Sequence, residues 1–397
     1  MKGSFKPLTL ISILPKFPTL DFMAQLPQEL ACHILMHLDD VRSLVSASLV
    51  SKRWHHLCRD NLVWKRKYTL QKSWKKTPQS AGWVDYRDLY IRQMRIADRW
   101  RKGAVTTSYL TGHTDSIYCV QFDTEKIVTG SRDTTIKFWS METRKCLRTL
   151  NGHDKSVLCL EYDKDIMISG SSDCTILVWS METFKPRNRL RGHSAGVLDV
   201  CFDEKYIISC SKDTTIRIWD KETGISLRTL QGHRGPVNAV QLRDNRLVSG
   251  SGDALIKMWN TDTGECIRQF SGHVRGLACV QFDGKRIVSG SNDQCIKVWD
   301  AGALTLDTGE CTMTCEGHTD LVRALHFDDD KIVSGSYDQS VRVWDIRTGA
   351  CLLNFQSGHS SWVFDVMLSA TKIVSVSQDK TILIMDFAHD IDVRGIE

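Results

Sequence analysis

GHTDSIYCVQFDTEKIVTGSRDTTIKFWS, residues 112–140, carries marks that recur through the rest of the chain. Its Gly112-His113 pair returns as Gly152-His153, Gly192-His193, Gly232-His233, Gly272-His273, Gly317-His318 and Gly358-His359, at steps of 40, 40, 40, 40, 45 and 41 residues. An Asp follows each His after 20 residues: Asp133, Asp173, Asp213, Asp253, Asp293, Asp338 and Asp379. Six residues later comes Trp139, Trp179, Trp219, Trp259, Trp299 or Trp344, with Met385 in the seventh place. Three registered marks repeated seven times describe one supersecondary unit that stacks on copies of itself.

Within the unit, Ile117, Cys119 and Gln121 alternate with Tyr118, Val120 and Phe122, which predicts a strand covered on both faces. Lys126 opens a second strand, Ser131-Arg132-Asp133 a tight turn, Ile136–Trp139 a third strand and Cys146–Leu150 a fourth. One such sheet cannot bury both its faces, so seven must close around an axis. The period and the Gly-His…Trp-Asp pattern resemble WD40 repeats, which build four-stranded propeller blades. In that family the His, a strand hydroxyl, the Asp and the Trp form a buried hydrogen-bond chain. Thr129, Ser169, Ser209, Ser249, Ser289, Ser334 and Ser375 supply suitable hydroxyls. The resemblance gives these histidines a structural role; their spacing scatters them around the axis and gathers no metal site. Thr106–Leu110 occupies the fourth-strand slot before the first Gly-His, and is expected to pair beside Thr381–Asp386 and complete the seventh blade. Met385 lacks an indole donor, so that blade should hold its polar chain less firmly. Five extra residues around Ala301–Thr305 read as a longer surface loop.

Ahead of the repeats, residues 26–64 read LPQELACHILMHLDDVRSLVSASLVSKRWHHLCRDNLVW. Three short helices are predicted. Pro27 starts Gln28–Leu38, with Leu30, Ile34 and Leu38 inward along one stripe; Asp39 and Asp40 precede Val41–Val50, with Leu44, Ala47 and Leu49 inward; Ser51 caps Lys52–Arg59, with Trp54 and Leu57 inward. About 40 residues make a scant core, so such a unit often needs a partner surface. Leu26-Pro27, Glu29-Leu30, Ile34-Leu35, Leu38, Leu44, Ala47, Val50-Ser51, Lys52, Trp54, Leu57, Asp60 and Trp64 resemble the F-box pattern. An F-box docks on the Skp-type adaptor of cullin-RING ubiquitin ligases. Carried over by position, the resemblance implies adaptor contacts at Leu26, Pro27, Leu30, Ile34, Leu38, Val50 and Trp54, and leaves Leu44 and Leu57 to the unit's own core. Tyr86–Trp100, with Leu89, Gln93, Ile96 and Trp100 at helical spacing, is similar to the helical spacer of F-box/WD40 proteins.

The expected organisation is therefore an α + β multidomain chain. A leader spans 1–21, a three-helix F-box 22–66, a helical linker 67–103, an all-β seven-bladed propeller 104–388 and a tail 389–397. The leader's apolar run, Leu8–Leu14, is too short to span a membrane, and Pro15 and Pro18 follow it. Charge is uneven: residues 51–102 hold 15 Lys/Arg against 4 Asp/Glu, while 103–397 carry net −6. The basic stretch could meet nucleic acid, but its Trp and Tyr residues favour a packed connector with snorkelling basic side chains. Fourteen cysteines raise the question of disulfides. Cys119, Cys159 and Cys279 share one repeat offset and Cys146, Cys266, Cys311 and Cys351 another, so all are expected as small apolar residues buried in strands of a protein from the reducing cytoplasm or nucleus. No metal, cofactor, nucleic-acid partner or membrane partner is expected.

Two offsets point to one face of the propeller: the residue before each Asp and the residue five after each His. They place Arg132, Lys212 and Arg323 on the rim of one channel, with Ser172, Asn238 and Asn292 between Tyr118 and Tyr337. Arg132 and Arg323 offer planar forks to an anion; Lys212 reads equally as a contact or as a solvated surface cation. The set resembles the β-transducin-repeat-containing F-box proteins, which read phosphorylated degradation motifs; the fungal sulfur-regulation F-box/WD40 proteins are also similar. In the last blade the chain departs from the first group: where that group has a further Arg, Trp362 and Asp365 stand nearby. The resemblance implies a non-catalytic substrate receptor of an SCF-type ubiquitin ligase, binding a phosphorylated protein. Two rival readings are a non-degradative scaffold or transcriptional co-regulator, which would not need residues 26–64, and a ligase using its own cysteine.

Overall fold

The computed structural model describes residues 21–71, 74, 83–302, 309 and 311–396. All of the proposed leader except Asp21, part of the expected linker (72–73 and 75–82) and most of the lengthened loop before the sixth Gly-His lie outside them. The chain divides into two units, residues 1–93 and 94–397.

The first unit is helical. In chain order the helices are α1 (Phe22–Gln25), α2 (Gln28–Met36), α3 (Val41–Ser48), α4 (Lys52–Leu57), α5 (Asn61–Leu70) and the start of α6 (Tyr86–Lys102). Short polar side chains begin them. Asp40 accepts from the Ser43 N–H at 2.6 Å, Ser51 from Trp54 at 3.3 Å and Asp60 from Leu62 at 2.9 Å, each satisfying an orphan donor of the first turn. Asn61 joins α5 to α6 by donating to the Val84 carbonyl at 2.8 Å and accepting from the Tyr86 N–H at 2.9 Å. Buried Lys67 reaches across from α5 to donate to the Met36 and Leu38 carbonyls, closing the end of α2. The core takes Leu44 and Leu57, as read from the sequence, with Met23, Val63, Trp64 and Leu89.

Two inward assignments are corrected. The buried face of α2 is Ala31, Cys32 and Leu35. Leu30 is 53% exposed, Ile34 42%, and Leu38 lies only partly buried. Both sides of this short helix are apolar, so the stripe could be drawn either way; the small side chains Ala31 and Cys32 let α2 approach α4 and α5 closely. Leu49, expected inward, is 80% exposed beyond the end of α3.

The second unit holds seven four-stranded antiparallel sheets. The first runs through Ile117–Phe122, Lys126–Ser131, Ile136–Ser140 and Cys146–Leu150, and the next five repeat it. The seventh takes three strands from residues 363–386 and its outer strand from Thr106–Thr111, paired from Thr106↔Asp386 to Thr111↔Thr381. This is the closure expected from the register. Phe387 stacks on Trp100 at 3.6 Å, and the Trp100 indole donates to the Ala370 carbonyl, so the last turn of α6 packs on this blade.

The repeated marks do one job seven times. In the first blade, His113 Nδ1 meets Asp133 at 2.7 Å, His113 Nε2 meets the Thr129 hydroxyl at 2.8 Å, and the Trp139 indole donates to that hydroxyl at 2.9 Å. A Cβ on Gly112 would meet the Trp139 ring at 3.0 Å, which is why glycine precedes the histidine. The Asp carboxylate also accepts from the backbone N–H one residue after the His and two residues after itself, Thr114 and Thr135 in this blade. Between the Asp and that second donor the chain turns through a positive φ at Thr134, Cys174, Thr214, Ala254, Gln294, Gln339 and Lys380. None of these is glycine, so the Asp hydrogen bonds hold a conformation the residues themselves disfavour. In the seventh blade His359 keeps its bonds to Asp379 and Ser375, but buried Met385 gives Ser375 no indole donor.

The cysteines split. Cys119, Cys159 and Cys279 are buried in the innermost strands, as expected, but Cys146, Cys266, Cys311 and Cys351 are exposed. They open the outermost strands, where the sheet edge meets solvent.

Candidate functional site

Two surfaces carry unspent chemistry. The first is the apolar face of the helical unit. Val50 is 63% exposed and Pro27 is also exposed, adding to Leu30 and Ile34, while Leu26 and Trp54 are half-buried. Arg53 steadies the entry by donating to the Leu26 carbonyl at 2.9 Å and the Met23 carbonyl at 3.3 Å. The Trp54 indole donates to Asp21, and its ring meets Phe22 edge-on at 5.7 Å. Trp54 is thus tied within its own unit, whereas Leu30, Ile34 and Val50 meet little of it.

The second is one mouth of the propeller. In every blade the backbone N–H of the residue before the Asp donates to the carbonyl three residues after the His, as Arg132 does to Ser116 and Gln378 to Trp362. These seven bonds bring the two loop series onto the same face. Arg132, Lys212 and Asn292 are exposed, while Tyr118, Ser172, Asn238, Arg323 and Tyr337 are half-buried; of these Tyr118, Asn238 and Arg323 line the channel. Arg323 donates to the Ala278 carbonyl at 3.3 Å and Asn238 to the Leu277 carbonyl at 2.6 Å, so each is braced by the preceding or following blade. Arg132 is held more loosely, its Nε 3.6 Å from Asp115. Among the described residues, Lys212 makes no side-chain bond that narrows its role.

Sequence reading noted Trp362 and Asp365 only as a departure and drew nothing from Phe364. The structure makes them part of the mouth. Phe364 lies 4.9 Å from Tyr118 and 5.9 Å from Tyr337, and Tyr337 stacks on Trp362 at 4.5 Å with planes 5° apart. Below them a channel of about 320 Å³ is lined by the innermost strands. Its carboxylates stitch blades together: Asp365 accepts from the Val120 N–H at 2.9 Å, Asp199 from Val240 at 3.0 Å and Glu161 from Phe202 at 3.1 Å. Each touches the channel, yet is ringed by protein. Burial pushes Asp199 up to about 6, Asp365 up to about 7 and Glu161 up to about 8, against the lowering pull of those N–H donors. Raised in this way, Asp199 and Asp365, the two that feel Arg323, cancel less of its charge.

The F-box-like family matches residues 23–70, and the WD domain, G-beta repeat family matches residues 104–140, 144–180, 184–220, 224–260, 264–300 and 309–345. Each matched segment starts with the outer strand of one blade and ends with the third strand of the next, the offset that closes the ring. The chain is 31% identical over 164 residues to the probable E3 ubiquitin ligase complex SCF subunit sconB of Arthroderma otae, covering 33% of this chain and 24% of that protein. It is 36% identical over 146 residues to F-box/WD repeat-containing protein 7 of Drosophila melanogaster, covering 33% and 11%. It is 30% identical over 159 residues to an F-box protein of Saccharomyces cerevisiae, covering 33% and 25%. These alignments span a quarter or less of the relatives' own length. Among solved structures, the computationally designed Ika8 protein matches with 33% identity and a TM-score of 0.59, covering 69% of this chain and 85% of that one.

Proposed function

Since the chain belongs to the WD domain, G-beta repeat family and carries an F-box-like region before its propeller, we propose that it is the substrate-recognition subunit of an SCF-type ubiquitin ligase. The helical unit docks on a Skp-type adaptor through Leu26, Pro27, Leu30, Ile34, Leu38, Val50 and Trp54. The propeller mouth holds a phosphorylated protein segment. The observation that carries this reading is the pairing, in one chain, of an apolar face on the F-box-like region that stands exposed among the described residues with a braced arginine at a propeller mouth.

The chemistry of transfer comes from elsewhere in such a complex. This chain raises the concentration of a substrate lysine beside the charged conjugating enzyme. Burial holds Cys119, Cys159, Cys201 and Cys210 well above the ordinary thiol range, which supports a passive role for them, since a nucleophile needs its thiolate. Arg132 and Arg323 supply charge-assisted bonds of about 1.5–3 kcal/mol each to a phosphate. Two of them separate a phosphorylated from an unmodified peptide by roughly 10²–10⁴-fold.

The test is a binding assay with purified chain, a Skp-type adaptor and a phosphoserine peptide library. Wild type is expected to capture both. Arg132→Ala with Arg323→Ala should lose phosphopeptide by roughly 10²–10⁴-fold and keep the adaptor. Failure of the wild type to bind any Skp-type adaptor would favour the scaffold reading; equal phosphopeptide binding by the double variant would refute the arginine pocket.

A further inference from the structure

The seven repeats of one register act as an internal control on what the fold requires. Three residues after each His, the fold uses only the backbone carbonyl, which accepts the N–H described above. In six blades that position holds Ser116, Ser156, Gly196, Pro236, Gly276 or Leu321. In the seventh it holds Trp362, whose carbonyl makes the same bond while the residue stays 42% exposed. The indole is therefore surplus to the blade. It is also stiff, because Tyr337 lies flat against it and Phe364 meets both rings edge-on, at 5.9 and 6.4 Å.

Tyr337, Trp362, Phe364 and Tyr118 come from the sixth, seventh and first blades, whose innermost strands adjoin around the ring. At the matching offsets the third, fourth and fifth blades place Lys212, Gly252, Asn292, Leu198, Asn238 and Ala278. The mouth thus has an aromatic half and a mainly small or polar half. Arg323 and Arg132 belong to the two blades that flank Trp362. A cationic ligand side chain entering between them would meet like charge, so an uncharged apolar group suits the rings and an anion suits the arginines.

We propose that the aromatic half of the mouth is an apolar subsite, which selects an aromatic or large aliphatic side chain close in sequence to a single phosphorylated residue. This inference rests on the peptide-binding reading above and narrows its substrate class. A preformed pair of stacked rings loses little freedom on binding, so burying a large apolar side chain against it strengthens binding by about 10- to 100-fold.

The probe is a peptide library with one fixed phosphoserine and degenerate flanks, including phosphoserine and trimethyl-lysine among the flanking choices, presented to the intact chain bound to its adaptor. Trp, Phe, Tyr, Leu or Met should be enriched at a fixed offset from the phosphoserine. Trp362→Ser, which installs the residue found at this register in the first two blades, should erase that enrichment and weaken the selected peptide by about 10- to 100-fold. Trp362→Phe should restore most of both. An unchanged melting temperature separates these effects from misfolding. Enrichment of a second phosphoserine or of trimethyl-lysine, or an unaltered profile in Trp362→Ser, overturns the proposal. Apolar enrichment retained when the fixed phosphoserine is replaced by serine, with no loss of affinity, upholds the subsite while sinking the phosphate reading.

Discussion

Nine of the eighteen large apolar side chains that stand exposed among the described residues lie before residue 94, in less than a quarter of the chain; the other nine are spread over the second unit, which is more than three times as long. The propeller closes on itself, so each sheet finds a neighbour for both faces and its polar marks find one another. The helical unit has too few residues to wrap its helices, and α2 turns Leu35 inward at the expense of Leu30 and Ile34. Among the described residues, the propeller covers the faces of its sheets and the helical unit leaves one face of α2 exposed.

The largest effects are expected from changing one leucine on each side of α2. Leu30→Asp should lower affinity for a Skp-type adaptor by more than about 100-fold, because it places a charge in an apolar contact, and should leave the propeller's melting temperature unchanged. Unaltered adaptor affinity would mean the docking face lies elsewhere. On the opposite side, Leu35→Ala should destabilise the helical unit itself by about 2–5 kcal/mol, read as faster amide exchange in residues 21–70. Leu30→Ala should stay within about 0.5 kcal/mol by the same measurement.

Within the propeller the comparison narrows to the blade without an indole. Ser209 meets both His193 at 2.8 Å and the Trp219 indole at 2.9 Å, whereas Ser375 meets His359 and no indole. Each buried group left unpaired costs about 1–3 kcal/mol, so Ser209→Ala should cost roughly twice what Ser375→Ala does in urea unfolding. Equal losses would show that the Trp contributes through its ring alone.

The smallest effect is the acid response. Burial holds His113, His193, His233, His273 and His318 below the ordinary range despite their Asp partners, so they stay neutral when folded. As pH falls below about 6.5, the unfolded chain takes up protons that the folded propeller refuses, and stability is lost. For Asp133 and Asp213, burial would raise the carboxyl, but hydrogen bonds from Thr135 and His113, or Thr215 and His193, outweigh it and hold each down to about 2. Their contribution is present above about pH 4 and is lost as pH falls toward 2. Between pH 7.5 and 5 the histidine loss is opposed by Asp199, Asp365 and Glu161, whose raised folded values let the folded chain take up protons there and gain stability as pH falls. The propeller's melting temperature should therefore drop most clearly below pH 4, and a flat profile from 4 to 2 would mean that Asp133 and Asp213 are not held low.

The propeller was legible because its signal is repeated: Gly, His, Asp and Trp at fixed offsets leave one register, and that register also placed Thr106–Thr111 in the last blade. Helix α2 gave no such redundancy. Leu30, Ala31, Cys32, Ile34, Leu35 and Met36 put apolar atoms on most of its circumference, and which side turns inward depends on the closeness of neighbours that spacing does not reveal. The mouth fell between these cases. Offsets found Arg132, Arg323 and Tyr337, but the weight of Trp362 and Phe364 emerged only when their rings were seen against Tyr337 and Tyr118. The exposed row from Cys146 to Cys351 was misplaced because a strand at a sheet edge has the same composition as one inside it.

The pairing of Thr106–Thr111 with Thr381–Asp386 sets a timetable as well as a shape. At a synthesis rate of roughly 5–20 residues per second, the earlier segment waits tens of seconds on the ribosome before the later one exists. Throughout that interval the nascent chain carries a lone strand with no mate, and neighbouring copies on one messenger offer the same vacancy.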